Sequence, residues 1–454
     1  MTGIINTKRR HFLRQMAGVL SAGGAYATLG QLGMVNQAMA QGGGAGYRAL
    51  VCIYLTGGND SFNLLVPRDT TRYNQYSDIR ENLAIPREDL LAVSPLSGGN
   101  YGFHPSCPGL RSLFNAGDLA VVTNVGPLVA PMTKLTFENG SVPRPPQLFS
   151  HNSQTELWQS GSAIAGMAQG WGGLVADQLV TFNANPDLPF SVSVGGNNRF
   201  AVGEVTRPYQ IGLDGLIEIE GFDTQLASAA RQAGFDEIFA AAYDHPFQRE
   251  YRDTMTRSIE LEALFSSAMA ANPVTTSFPD TNLGGQLETV ARLIAARGDT
   301  GQSRQIFFVS QGGYDTHNAQ NTDQPELLTE LNDAITAFQS ALGDELNVAD
   351  DVTTFTMSEF GRTLNSNGDG SDHGWGGQQM VIGGGVLGQT LYGTYPEIAL
   401  DGADSIGRGR MIPSTALDQY CATLAKWLGV GDSELNAIFP NLNEFAAADL
   451  GFVL

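Results

Sequence analysis

The sequence predicts an α/β fold, an α/β/α sandwich around a mostly parallel sheet. Three observations predict it. Runs at 49–55, 119–125, 305–310 and 352–357 are of strand length and apolar or β-branched, as strands covered by helices on both faces are. Helix-like stretches separate these runs in a β–loop–α–β rhythm that favours parallel pairing. The runs at 49–55, 305–310 and 352–357 each pass into a glycine-containing loop that carries Asp, Glu or His. In a parallel sheet such loops share the carboxyl edge, where open α/β sheets place their ligands.

The bulk numbers agree. At 454 residues and 42% hydrophobic, the chain can bury a large core and is not a disordered protein. Glycine, at 55 residues, is above average usage and points to many tight loops. No repeat of fixed period is visible.

The amino terminus reads as a targeting segment. Lys8-Arg9-Arg10-His11-Phe12-Leu13-Arg14 is a twin-arginine pattern, a weakly apolar Gly/Ala-rich run follows, and Ala38-Met39-Ala40 offers a signal peptidase site. The expectation is a signal peptide over 1–40, export of the folded protein to the periplasm or beyond, and no stable membrane insertion after cleavage. A flexible leader at 41–47 then precedes a domain at 48–454. Residues 1–40 hold four of the 25 basic residues and none of the 46 acidic ones. The remainder, 21 basic against 46 acidic, carries a formal net charge of −25. Such a surface repels nucleic acid and anionic membranes. Cys52, Cys107 and Cys421 are too few for a disulfide framework.

Along the domain, the strand at 49–55 ends in Gly57-Gly58-Asn59-Asp60, which makes Asp60 a candidate metal ligand or a turn cap. Residues 73–96 read as irregular, with short helical turns. His104 and His245 each precede a proline and read as structural. A proline-rich loop over 126–149 meets Ser150-His151-Asn152, the start of a helix. Ser150 there is either a cap or a nucleophile at a site that favours anions. Residues 190–219 show short alternating strands and 224–271 helical periodicity, so about 186–280 is expected to be an inserted cap. The third strand runs into Gly312-Gly313-Tyr314-Asp315-Thr316-His317, where Asp315 and His317 can reach one metal from a bent loop. A long amphipathic helix follows at 322–342. Val352 opens the fourth strand, which ends at Ser358-Glu359-Phe360-Gly361-Arg362 and delivers Asp372-His373-Gly374. Residues 380–395 read as an edge strand and hairpin, and 414–428 as a last helix capped by Ser414.

Asp60, Asp315, His317, Glu359, Asp372 and His373 thus form one candidate cluster for one or two divalent ions of the Zn, Mn, Mg or Ca kind. Arg362 is either a stabiliser of developing charge or a salt-bridge partner of Glu359 or Asp372.

The motifs GGNDSFN, SHNSQTELW, GGYDTH, SEFGRT and SDHG, in this order behind a twin-arginine leader, resemble the bacterial domain-of-unknown-function family DUF1501. The resemblance spans essentially the whole chain after the leader. It implies the alkaline phosphatase and sulfatase superfamily, with its α/β/α sandwich, one or two metals and a hydroxyl or thiol nucleophile at a helix start. By that resemblance Asp60 matches an early aspartate ligand, Ser150 the nucleophile, and Asp315 and His317 a central Asp/His pair. Phe360 stands where the superfamily has a metal-binding histidine, and Asp372-His373 supplies replacement ligands or the final histidine.

Two functions follow. One is a periplasmic metal-dependent hydrolase of phosphate or sulfate esters on a small molecule or polymer. In it Ser150 attacks and His151 or Arg362 stabilises charge. The other is a non-catalytic exported protein of the same fold, with a protein partner in a surface or secretion assembly.

Overall fold

A computed structural model describes residues 46–212 and 226–454. The expected signal peptide at 1–40, most of the expected leader, and part of the 190–219 strand region lie outside the described residues. Residues 48–454 form one unit.

In chain order the strands begin with β1 Arg48–Leu55, β2 Leu65–Pro67, β3 Leu91–Val93, β4 Tyr101–Phe103 and β5 Leu119–Gly126. β6 Ser191–Ser193, β7 Tyr209–Gln210, β8 Arg304–Gln311, β9 Val352–Met357 and β10 Gly377–Ile382 follow. The last are β11 Leu391–Tyr392, β12 Ser405–Ile406, β13 Arg410–Met411 and β14 Thr415–Ala416. The central sheet runs β11-β5-β10-β9-β1-β8-β6-β7, with β14 added to β5. It is parallel except at β10, which is antiparallel to β5 and β9. This is the predicted mostly parallel sheet.

Period-two alternation in β1 explains the two layers. Leu50, Cys52 and Tyr54 pack with Ile306, Phe308 and Phe355 against Trp158, Trp171, Tyr420 and Leu424, which come from the helices His151–Ser160, Trp171–Leu179 and Leu417–Leu428. Ala49, Val51, Ile53 and Leu55 are equally buried and point the other way. The helices Asn282–Ala295 and Pro108–Ala116 contact β8 and β5 and pack on the helix Gln320–Ser340. The three cysteines are free and buried.

Register positions the site. Leu55 pairs with Gln311, and Tyr54 with Met357, so β1, β8 and β9 end at one level. The loops that leave them emerge side by side.

Four expectations need correction. Residues 70–80 form a regular helix, whose N-cap Asp69 accepts from the Arg72 amide, where an irregular stretch was expected. β10 is an internal strand, because both its neighbours hydrogen-bond to it and all six of its residues are buried; the edge belongs to β11. The last-helix region starts at Leu417, not Ser414, and a further helix, Asp432–Ile438, follows. The segment at about 186–280 does not begin as a cap, since β6 and β7 extend the central sheet beside β8. Its later part forms two helices, Leu226–Ala240 and Pro246–Ala271. His245 caps the second, accepting from Phe247, and His104 accepts from Ser106, so both are structural as expected.

Candidate metal centre

Three histidines converge on one aspartate at the carboxyl edge of β1, β8 and β9. Asp315 and His317 come from the loop after β8. His373 comes from the loop after β9, which folds back on itself: Gly361 donates to Trp375, Thr363 donates to Asp372, and Arg362 bridges to His373. Gly370 lets this loop lie on its neighbour, because a Cβ there would stand 2.2 Å from the Thr316 carbonyl oxygen. His151 is the first residue of the helix His151–Ser160.

The distances are short. His317 Nε2 and His373 Nε2 each lie 3.2 Å from Asp315 Oδ1, and 2.8 Å from each other. His151 Nε2 lies 3.4 Å from Asp315 Oδ2. Ligand atoms of His151, Asp315 and His373 fall within 4.8 Å of one another. Bonds of about 2.0–2.1 Å in a tetrahedral zinc site put neighbouring ligand atoms roughly 3.3 Å apart, close to the 3.2–3.4 Å that separates each histidine from Asp315.

The far side of each ring decides what the near side offers. His373 Nδ1 lies 2.7 Å from the carbonyl oxygen of Phe149. A carbonyl can only accept, so Nδ1 carries the proton and Nε2 presents a lone pair. His317 Nδ1 lies 3.1 Å from Asp372 Oδ1, and His151 Nδ1 2.9 Å from Glu359 Oε1. Carboxylates fix the same tautomer in both rings. Three Nε2 lone pairs therefore face the Asp315 carboxylate, with His151, Asp315 and His373 the group close enough together to hold an ion and carboxylates or a carbonyl behind each ring as a metal centre's outer support. The residues present fit a divalent cation.

Electrostatics follow from these partners. The hydrogen bond from His151 to Glu359 raises the His151 pKa above its ordinary value, against the effect of partial burial. Burial lowers that of His373, with the Phe149 carbonyl opposing. Burial works to raise the Asp315 carboxyl, but the hydrogen bond and charge of Arg362 outweigh it and hold the group below the usual range. Asp372 is also held low, because Asn367, His317 and Arg408 together outweigh its burial.

The structure separates the predicted cluster into two groups. Asp315, His317 and His373 meet as expected. Asp60 does not join them. It is buried, pairs with the fully buried Arg80, accepts from Gln320 and from the Phe62 amide, and caps the helix Ser61–Leu64. Glu359 and Asp372 are not in the facing set either, since each turns an oxygen to the outer nitrogen of a histidine. Glu359 also accepts from the Gly57 amide at 2.8 Å.

His151, expected to stabilise charge, sits in the facing set. Arg362 is buried and spends its donors on the carbonyls of Gly57, Gly58, Tyr314 and Ser371 and on Asp315. Its partner is Asp315, not the expected Glu359 or Asp372. Ser150 occupies the N-cap position of the helix His151–Ser160, yet its side chain makes no capping hydrogen bond.

Phe360 has an observable use. Its ring stacks on His373 at 4.6 Å and lies 4.9 Å from His151, so it forms a wall of the site. Sequence reasoning missed Phe149, Arg80, Arg408 and Arg410. A backbone carbonyl leaves no trace in residue type. Phe149 is detectable only in the fold, where its φ of 73° turns that carbonyl toward His373.

No curated protein matches the chain in sequence. Solved structures align weakly along most of it. A sulfatase, PsFucS1 from Pseudoalteromonas sp., is 11% identical over 87% of this chain and 70% of its own, with a TM-score of 0.33. The lipoteichoic acid synthase LtaP from Listeria monocytogenes is 7% identical over 85% and 72%, with a TM-score of 0.35. The soluble domain of lipooligosaccharide phosphoethanolamine transferase A from Neisseria meningitidis is 7% identical over 85% and 89%, with a TM-score of 0.32. Residues 47–419 match a family described as a protein of unknown function, DUF1501, and the chain belongs to that family.

Proposed function

We propose that this protein is an exported hydrolase of phosphate or sulfate esters that works with a single divalent metal ion. The observation that carries the reading is the pinned tautomer of His373, with His151 and His317 held alike and all three Nε2 atoms turned to Asp315. His151, Asp315 and His373 would hold the ion, with His317 beside Asp315 and His373. When bound, it would supply Lewis acidity toward an ester oxygen and a nearby hydroxyl.

The chain's own groups supply the rest. Ser150 stands between Phe149, which supports His373, and His151, and its hydroxyl is not spent on capping. It is the proposed nucleophile, and the helix start behind it favours an anion there. One ion is proposed because Asp60, the early aspartate ligand that the resemblance implies, is committed to Arg80. Export by the twin-arginine route belongs to the same reading and rests on Arg9 and Arg10.

The test is turnover of aryl phosphate and aryl sulfate esters by purified protein of measured metal content, beside Ser150→Ala and His373→Ala. Ser150→Ala should keep its metal and lose activity by a factor on the order of a thousand or more. His373→Ala should lose both. Metal-loaded protein that turns over neither ester would favour the non-catalytic reading.

A further inference from the structure

Three arginines lie in the loops around the candidate centre and a fourth, Arg80, beside Asp60; three of the four are matched by a carboxylate. Arg80 pairs with Asp60, Arg362 with Asp315, and Arg408 with Asp372 at 2.5 Å. Among the described residues Arg410 has no carboxylate partner. It is nevertheless held firmly. Its Nε donates to the His373 carbonyl at 2.9 Å, its Nη1 to the Gly407 carbonyl at 3.4 Å, and its guanidinium lies 4.5 Å from the centre of the Phe149 ring.

Two of these three contacts are with residues of the centre itself. Phe149 supports His373 and directly precedes Ser150, and His373 is one of the converging imidazoles. A cation fixed on an aromatic face beside a second cation, without a counter-ion, calls for an anion. Arg362, the arginine that the motif offers for this work, is fully buried and already engaged.

We infer that Arg410 is the anion-binding residue of the site, and that it recognises a tetrahedral oxyanion, the phosphoryl or sulfuryl group of the substrate. With Nε and Nη1 donating to carbonyls, Nη2 is the nitrogen left for the oxygens of such a group, held in place by the planar guanidinium as a lysine's flexible ammonium is not. The inference rests on the hydrolase reading for its substrate, but not for its binding chemistry.

The test is calorimetric titration of inorganic phosphate and, separately, sulfate into the full chain, Arg410→Gln, Arg410→Lys and Arg408→Gln, with metal content and Tm measured for each. Arg410→Gln should weaken the preferred anion at least about tenfold at unchanged metal content, Arg410→Lys severalfold, and Arg408→Gln less than either. Equal binding by Arg410→Gln and the parent overturns the inference, as does a metal-loaded parent that binds neither anion. If Arg410→Gln does not fold, Arg410→Lys decides: affinity equal to the parent's overturns the inference. Arg410-dependent binding by protein that holds no metal would uphold the inference while removing the metal from the functional reading.

Discussion

His317 Nε2 and His373 Nε2 stand 2.8 Å apart, each with the opposite ring nitrogen turned to an acceptor. Two lone pairs at that distance repel unless something positive lies between them. A divalent cation fits, with Asp315 and His151 as further ligands. Protein purified without chelator should therefore carry one equivalent of metal, measured by elemental analysis. Removing it should lower Tm by several degrees, since binding at a hundredfold excess over Kd contributes about 2.7 kcal/mol. His317→Ala and His373→Ala should each lose most of the metal. Metal-free protein with an unchanged Tm would assign the contact to a shared proton.

Glu359 fixes the ring of His151 from a position that is almost fully buried. Glu359→Gln keeps the shape but removes the charge. Loss of such outer support lowers metal affinity by roughly 10- to 100-fold, and a competition titration with a chromophoric chelator should read a drop in that range. Unchanged affinity would mean that His151 needs no carboxylate behind it.

The Asp60–Arg80 pair should matter to stability and not to metal content. Both side chains are excluded from solvent. Asp60→Asn leaves a buried guanidinium without its counter-ion, which costs on the order of 3–5 kcal/mol. Denaturant unfolding should show this loss, while elemental analysis still finds the parent's metal. Loss of the ion in Asp60→Asn would restore Asp60 as a ligand.

Asp418 sets a pH dependence far from the site. Burial pushes its carboxyl up to about 7, with hydrogen bonds from Asn441 only partly opposing. An unfolded aspartate titrates near 3.9. Between about pH 4 and 7 the folded chain keeps a proton that the unfolded chain releases, so this group's contribution to stability falls as pH rises and levels off above 7. Asp418→Asn should remove that slope, so the variant should gain on the parent in Tm between pH 5 and 8. A constant Tm difference across that range would contradict the assignment.

Much of the fold was legible from local pattern. The runs at 49–55, 119–125, 305–310 and 352–357 became β1, β5, β8 and β9 nearly residue for residue, because a strand buried on both faces must be apolar throughout. β10 reads as an edge strand because its glycine-rich flank, Gly383-Gly384-Gly385, resembles a hairpin, and nothing local reveals that β5 and β9 both pair with it. The helix Thr70–Arg80 was missed because its polar, weakly amphipathic sequence lacks the apolar period that marks a helix.

The sequence by itself determined which segments become strands, that their loops carry carboxylates and imidazoles, and through its ordered motifs the family to which the chain belongs. Tertiary structure alone decided which of those groups face a common point. Asp60, Glu359 and Asp372 look as much like ligands as Asp315 does, since all are acids in loops after strands. Their use is set by partners distant in the chain. Arg80, 20 residues away, claims Asp60, and the Gly57 amide, 302 residues away, helps turn Glu359 behind His151. A carboxylate goes to whichever cation or donor the fold brings within about 3 Å, and that neighbour is not encoded in the residues beside it.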